Sequence, residues 1–268
     1  MNDDHKTPRQ QRVVFGEAAD LYDRARPGYP EQLVDDVLAF VGVDSPRVVE
    51  IGAGTGKATV AFATRGLEIV AIEPSAEMAA VARRNCALFS RVSLRMSDFE
   101  DWQNDSGSFD LLISGQAWHW VSPGVRYVKA RRLLEPSGSL ALFWNRPVWE
   151  HSAMRTAFDE VYRNFAPDLR AQEPGFPGLN PTKADVERAS EFEESGLFGP
   201  VTRKTYRWSA GYGTEEYLEL LQTQSNHRML QPDHRDTLLR EIAQVIDESG
   251  GSLGVNYATH LYLARCLG

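Results

Sequence analysis

The stretch that most constrains this chain is VVEIGAGTGKAT, residues 48–59. Aliphatic residues, two of them β-branched, lead into a carboxylate at Glu50, and glycines follow at Gly52, Gly54 and Gly56. β-Branched residues suit a strand. Glycine at every second position suits a tight turn whose backbone a ligand can approach closely. The strand, turn and following helix open a βαβ unit, so the question is which ligand the turn receives.

Two common ligands fail the spacing. A dinucleotide turn needs G-x-G-x-x-G or G-x-G-x-x-A. Counted from Gly52, its last position is Lys57; counted from Gly54, it is Thr59. A phosphate-binding loop needs G-x-x-x-x-G-K-[ST], but Ile51 stands first and Ala58 last. Lys57 then reads as a solvated side chain in the first helical turn. A carboxylate opening the loop would repel a pyrophosphate. It suits a cationic or amine-bearing ligand, met directly or through water.

The rest of the first half continues the alternation. Helices are predicted over 31–41, 56–66, 75–87 and 124–138, and strands over 47–51, 67–73, 91–97, 109–115 and 139–145. Ser75 has the chemistry of an N-cap, and Pro136 with Gly138 is expected to stop the fourth helix. Strands alternating with helices of this length predict a mainly parallel sheet covered on both faces. In such sheets ligands bind beyond the C-terminal strand ends. The pattern weakens after residue 146. Residues 166–182 are rich in proline and glycine and read as a loop over the sheet edge or a lid. A strand is expected over 200–208, helices around 214–229 and 233–248, and a last strand over 255–267. No linker divides the chain.

Charge and composition narrow the partners. The 268 residues carry a net charge of −8, with no block of like charges, which argues against nucleic acid as a partner. The polar start MNDDHKTPRQQR has no apolar core of a signal peptide, and no apolar run reaches membrane-spanning length. Two cysteines, Cys86 and Cys266, argue against a disulfide framework and for a cytoplasmic setting. The histidines show no ligand spacing, so no metal site is expected.

The E-x-G-x-G-x-G loop resembles motif I of class I S-adenosylmethionine-dependent methyltransferases, and the neighbouring strand ends resemble that family in the same order. AIEPS (71–75) ends the second strand and SDFEDW (97–102) the third; RLLEPSGSLALF resembles the family's helix, turn and fifth strand, with Ser137 in place of the commoner glycine. An acid at Glu73 also fits the nicotinamide cofactor rule, so it does not discriminate alone; the failed third glycine does. The resemblance implies a seven-stranded mixed sheet in a single domain over 1–268. It divides into an N-terminal helical lid (1–45), a cofactor core (46–146), a substrate cap (147–199) and C-terminal strands and helices (200–268). It implies S-adenosylmethionine as cofactor, held by Arg26, Glu50, Gly52, Ala53, Gly54, Gly56, Glu73, Pro74, Met78, Asp98, Phe99 and Gln116. Glu73 is expected on the ribose hydroxyls, Asp98 on the adenine amino group, and Phe99 against the ring.

FGEAADLYDRARPGYP (15–30) resembles the segment that folds over the cofactor in the methyltransferase type 11 group, including trans-aconitate methyltransferase-like proteins. Tyr22, Arg26 and Tyr29 could close the site, though both tyrosines could equally pack a helix on the sheet. The fourth strand ends in SGQAWHWV (114–121). This His-Trp element resembles that group and the plant carboxyl methyltransferases. Trp118, Trp120 and Arg146 are expected at the substrate, with one of the two tryptophans a core anchor. His119 is either a general base or a structural histidine. The reaction expected is methyl transfer to a small molecule, with a carboxylic acid as the favoured acceptor. A non-catalytic cofactor-binding protein and an NAD-dependent oxidoreductase remain the alternatives.

Overall fold

The computed structural model describes residues 19–104, 108–149, 152–172 and 190–267. Helix α1 (Ala19–Ala25) precedes α2 (Glu31–Val41), which ends where Gly42 takes a left-handed φ of 71° and donates its N–H to the Leu38 carbonyl. Strand β1 (Arg47–Ile51) leads into α3 (Lys57–Ala63), β2 (Glu68–Ile72) and α4 (Ala76–Asn85). The Ser75 hydroxyl caps α4 by accepting the Met78 N–H at 3.2 Å. Strands β3 (Val92–Arg95) and β4 (Phe109–Gly115) follow, then a 3₁₀ turn (Trp118–Trp120) and α5 (Pro123–Leu133). Strand β5 (Leu134–Val148), α6 (Ala153–Phe165) and α7 (Pro167–Gln172) come next. Strand β6 (Thr202–Gly213), helices α8 (Thr214–Gln222), α9 (Ser225–Arg228) and α10 (Pro232–Glu248), and β7 (Ser252–Arg265) complete the order.

The seven strands form one mixed sheet in the order β3-β2-β1-β4-β5-β7-β6. Strands β1 to β5 pair in parallel, and β7 runs antiparallel to both β5 and β6. β1 sits between β2 and β4, so the chain order reverses there and a crevice opens at its C-terminal end. Successive residues point to opposite faces. Val48, Leu111 and Phe143 pack beneath α2 and α3, while Val49, Leu112 and Trp144 join Tyr127 of α5. A third core lies beyond the sheet, where Phe158 of α6, Leu220 of α8 and Ile242 of α10 meet Val255 and Tyr257 of β7.

Several boundaries differ from the sequence expectation. Helix α5 stops at Leu133, not 138, because Leu134 is already extended (φ −89°, ψ 144°) two residues before Pro136. Residues 134–138 begin β5, whose register against β4 shifts between Phe109 and Leu111. The helix expected over 214–229 breaks at Thr223 and Gln224 into α8 and α9. Strands β6 and β7 extend to Gly213 and back to Ser252, past the predicted ends, and carry the third core. Part of the proline- and glycine-rich stretch is helical, as α7; its residues 173–182 lie outside the described set, as do residues 1–18 of the lid. Among the described residues no helix is long and apolar enough to cross a membrane.

Candidate active site

The glycine turn is tied down at both ends. The N–H groups of Gly52 and Ala53 both donate to the Ile72 carbonyl of β2, at 2.9 and 3.0 Å. Gly52 has φ 72°, and a Cβ there would stand 2.3 Å from the Ala117 Cβ, so only glycine fits between the first and fourth strand ends. Gly54 has φ 58°, and a Cβ on it would meet nothing within 4 Å. Its N–H instead reaches across to the Glu73 carboxylate at 2.8 Å, and the Ser75 N–H holds the other oxygen at 2.9 Å. Glu73 is thereby fixed in place at the cavity wall.

Glu50 is the second carboxylate of the turn. It is buried and accepts the Thr59 hydroxyl at 2.5 Å. Burial, reinforced by the neighbouring Glu73 charge, pushes its carboxyl from the ordinary 4.5 up to about 8 against the opposing Thr59 bond. A desolvated acid of this kind favours a cationic neighbour, which restores its ionised form.

These groups line one wall of a cavity of about 860 Å³. Of the residues expected to hold a cofactor, Arg26, Glu50, Gly52, Ala53, Gly54, Glu73, Pro74, Met78, Phe99 and Gln116 lie on its surface. Gly56 does not; it sits behind the wall at the start of α3 with φ 86°. Asp98 does not either. It is half-buried in the turn after β3, where its carbonyl accepts the Asp101 and Trp102 N–H groups, and Ser97, Phe99 and Glu100 make the wall there. The turn presents a fixed carboxylate beside an open glycine and a buried acid, and Arg26, just after α1, adds a guanidinium whose Nε is buried without a hydrogen-bond partner. That donor and acceptor set fits a cofactor carrying a diol, an amine and a carboxylate.

The His-Trp element divides between core and cavity. Trp118 is buried among Tyr127 and Phe99, at ring separations of 5.5 and 6.2 Å, and faces away from the cavity. A 3₁₀ turn advances about 120° per residue, so neighbours two apart cannot share a face. Trp118 is therefore corrected from a substrate contact to the core anchor. Trp120 and the exposed His119 lie on the cavity, their rings 4.6 Å apart. Gln116, a non-glycine residue at φ 60°, donates to the Asn145 carbonyl at 3.3 Å.

The far half of the cavity comes from a wider cap than residues 147–199, in which α8, α9, α10 and the start of β7 join α6 and α7. Arg146 reaches it from β5 and makes no hydrogen bond or ion pair among the described residues; its Nε is buried. Arg26 donates to the Thr223 carbonyl at 3.0 Å. Tyr162 of α6 and His227 of α9 meet with Oη and Nε2 2.7 Å apart. Burial, and then the Arg26 charge, lowers the His227 imidazole to about 4, so it is neutral at physiological pH. Sequence reading did not single out this pair, which lies 65 positions apart on elements with no shared motif. Among the described residues no group of three His, Cys, Asp or Glu side chains could hold a metal ion.

The strand order, the reversal at β1 and the paired carboxylates at the ends of β1 and β2 define a Rossmann-like fold of the kind found in methyltransferases. A family model described as a methyltransferase domain matches residues 48–138. The demethylmenaquinone methyltransferase of Clavibacter sepedonicus is 31% identical over 172 residues, 61% of this chain and 69% of that protein. An uncharacterized methyltransferase of Mycobacterium tuberculosis is 39% identical over 137 residues, 51% of this chain and 54% of its own. The aligned region thus spans about half the length of the mycobacterial relatives. A candidate type II methyltransferase from Anaeromyxobacter dehalogenans shares the fold at a TM-score of 0.60 and 20% identity, over 90% of this chain and 97% of that one. The chain belongs to the methyltransferase domain family.

Proposed function

We propose that this protein transfers the methyl group of S-adenosylmethionine to a small carboxylic acid. The observation that carries the acceptor class is Arg146, a cavity-lining guanidinium with no partner among the described residues. A buried donor left unsatisfied costs free energy, and a planar guanidinium is matched best by a carboxylate. The likeness of QAWHW and of the segment before β1 to the trans-aconitate methyltransferase-like group points the same way.

S-adenosylmethionine, when bound, supplies an electrophilic methyl group on a sulfonium centre. Glu73 would hold the ribose hydroxyls, Glu50 the amino group and Arg26 the carboxylate, with Phe99 against the adenine. Arg146 would orient the acceptor carboxylate, and Trp120 would wall it from water. A carboxylate is ionised at neutral pH, so the site needs no general base. His119, exposed at the cavity rim, then contributes positioning.

The test is to incubate the protein with S-adenosylmethionine and a panel of carboxylic acids and to detect methyl esters by mass spectrometry. Arg146→Ala should lower kcat/KM for the acid by about 10- to 150-fold, the loss of charged hydrogen bonds. Glu73→Ala should instead weaken S-adenosylhomocysteine by a similar factor in calorimetry. The turnover rate at saturating cofactor should stay flat from about pH 6 to about pH 9, above the acid's ordinary pKa. A rate that climbs through a pKa near 6.5 and loses that climb in His119→Ala would replace the acid with a hydroxyl or amine acceptor.

A further inference from the structure

We infer that the cap half of the cavity reads a hydroxyl group, so that the acceptor is a hydroxylated carboxylic acid with an apolar body. The inference rests on the carboxylic-acid reading above and adds a second recognition point to it.

The hydrogen bonds around His227 fix which groups can donate. Asn226 Oδ1 accepts the His227 backbone N–H at 2.8 Å, so that atom is the amide oxygen. The same oxygen lies 2.8 Å from His227 Nδ1, which must therefore carry the ring proton. Nε2 is left with a lone pair, and the Tyr162 hydroxyl 2.7 Å away donates to it. The neutrality of the buried ring keeps this arrangement across the physiological range. With its one proton directed at Nε2, the Tyr162 oxygen acts toward the cavity only as an acceptor.

A second acceptor stands beside it. Asp159 lies one helical turn before Tyr162 on the cavity-facing side of α6. Its Oδ2 accepts from Arg163 at 3.0 Å, which offsets its charge. This wall therefore offers its ligand hydrogen-bond acceptors, whereas Arg146 faces the cavity as a donor to an anion. The donor is a hydroxyl in preference to an ammonium. The Asp159 charge is already paired with Arg163 and the His227 ring is neutral, so this wall holds no net negative charge to attract a cation. Between the polar points the surface is apolar: Trp149, Leu169, Tyr217, Leu220 and Tyr257. It suits a hydrocarbon or aromatic body.

The test uses matched acids that differ only in a hydroxyl: 3-phenyllactate against 3-phenylpropanoate, 4-hydroxyphenylacetate against phenylacetate, and 12-hydroxydodecanoate against dodecanoate. Calorimetry on the protein saturated with S-adenosylhomocysteine gives affinity, and methyl-ester formation gives kcat/KM. In at least one pair the hydroxylated acid should lead by about tenfold, the value of one satisfied hydrogen bond. Tyr162→Phe should bring that acid down to the level of its partner. Its S-adenosylhomocysteine affinity, measured alongside, reports that the variant is folded. Equal treatment of every pair by the wild type, or a preference that survives Tyr162→Phe, overturns the inference. If the acids bind with Arg146-dependent affinity but show no hydroxyl preference, only this inference falls. If no acid binds, or Arg146→Ala leaves the binding of every acid unchanged, the carboxylic-acid reading falls and this one with it.

Discussion

Glu50 sets an unusual pH dependence at the residue scale. Its carboxyl titrates near 8 in the fold against an ordinary 4.5, raised first by burial. Above about pH 4.5 the unfolded chain releases a proton that the native state keeps, so this residue favours the fold at low pH. The benefit is lost as pH rises toward 8, with a slope of up to about 1.4 kcal/mol per pH unit. Denaturant unfolding between pH 5.5 and 7.5 should show that decline, and Glu50→Gln should flatten it. S-adenosylhomocysteine should bind more tightly as pH rises through the same window, releasing a proton as its ammonium draws the acid into the ionised form. Affinity that stays constant with pH would place the amine elsewhere. Glu50 and Glu73 were legible in the sequence because a turn's chemistry is local: residue type and spacing specify it. Trp118 and Trp120 were not separable, since their facing depends on whether the turn is 3₁₀. The Tyr162–His227 bond was not legible at all, because the packing of α6 against α9 creates it.

At the scale of elements, α1 is the conditional part of the site. Within its described residues, Ala19–Ala25, only Ala19 is buried. Ala19 packs with Met78 and Val81 of α4, and Asp23 accepts the Asn85 side-chain amide at 3.0 Å. Its ion pairs Arg24–Glu219 and Arg84–Asp20 are largely exposed and worth little. Cofactor contacts through Arg26 should supply the missing stability. Hydrogen exchange of the 19–25 amides should slow by about tenfold or more on addition of S-adenosylhomocysteine. Unchanged exchange would make α1 a fixed wall. The βαβ series was readable because alternating strands and helices have distinct periods. The start of β5 was not: Glu135, Pro136 and Gly138 look like a helix end followed by a turn, and only pairing with β4 and β7 makes that run a strand.

Across the whole molecule, two cores flank the sheet and a third fills the cap. β7 passes through all of them, with Tyr262 on one face of the sheet, Leu261 on the other and Tyr257 in the cap. Ile242 is fully buried in the cap core. Ile242→Ala should cost about 2–5 kcal/mol of stability in denaturant unfolding. It should weaken acceptor binding more than S-adenosylhomocysteine binding, because the glycine turn rests on the other two cores. Equal losses for both ligands would mean that the cap and sheet respond as one body.

The side chain and carbonyl of Asn145 join parts of the chain that are far apart in sequence. Its amide donates to the Gly28 carbonyl at 2.8 Å, its Oδ1 accepts the Thr259 hydroxyl at 2.6 Å, and its carbonyl receives Gln116. This seam lies between the segment that precedes β1 and the strands that carry the cap. On one side of it stands the region shared with the family model, residues 48–138. On the other stand α6, α8 and α9, which line the far half of the cavity. Substitutions in α6 or α9 that leave Asn145 and its three bonds in place should reshape the far half of the cavity while the glycine turn keeps its geometry.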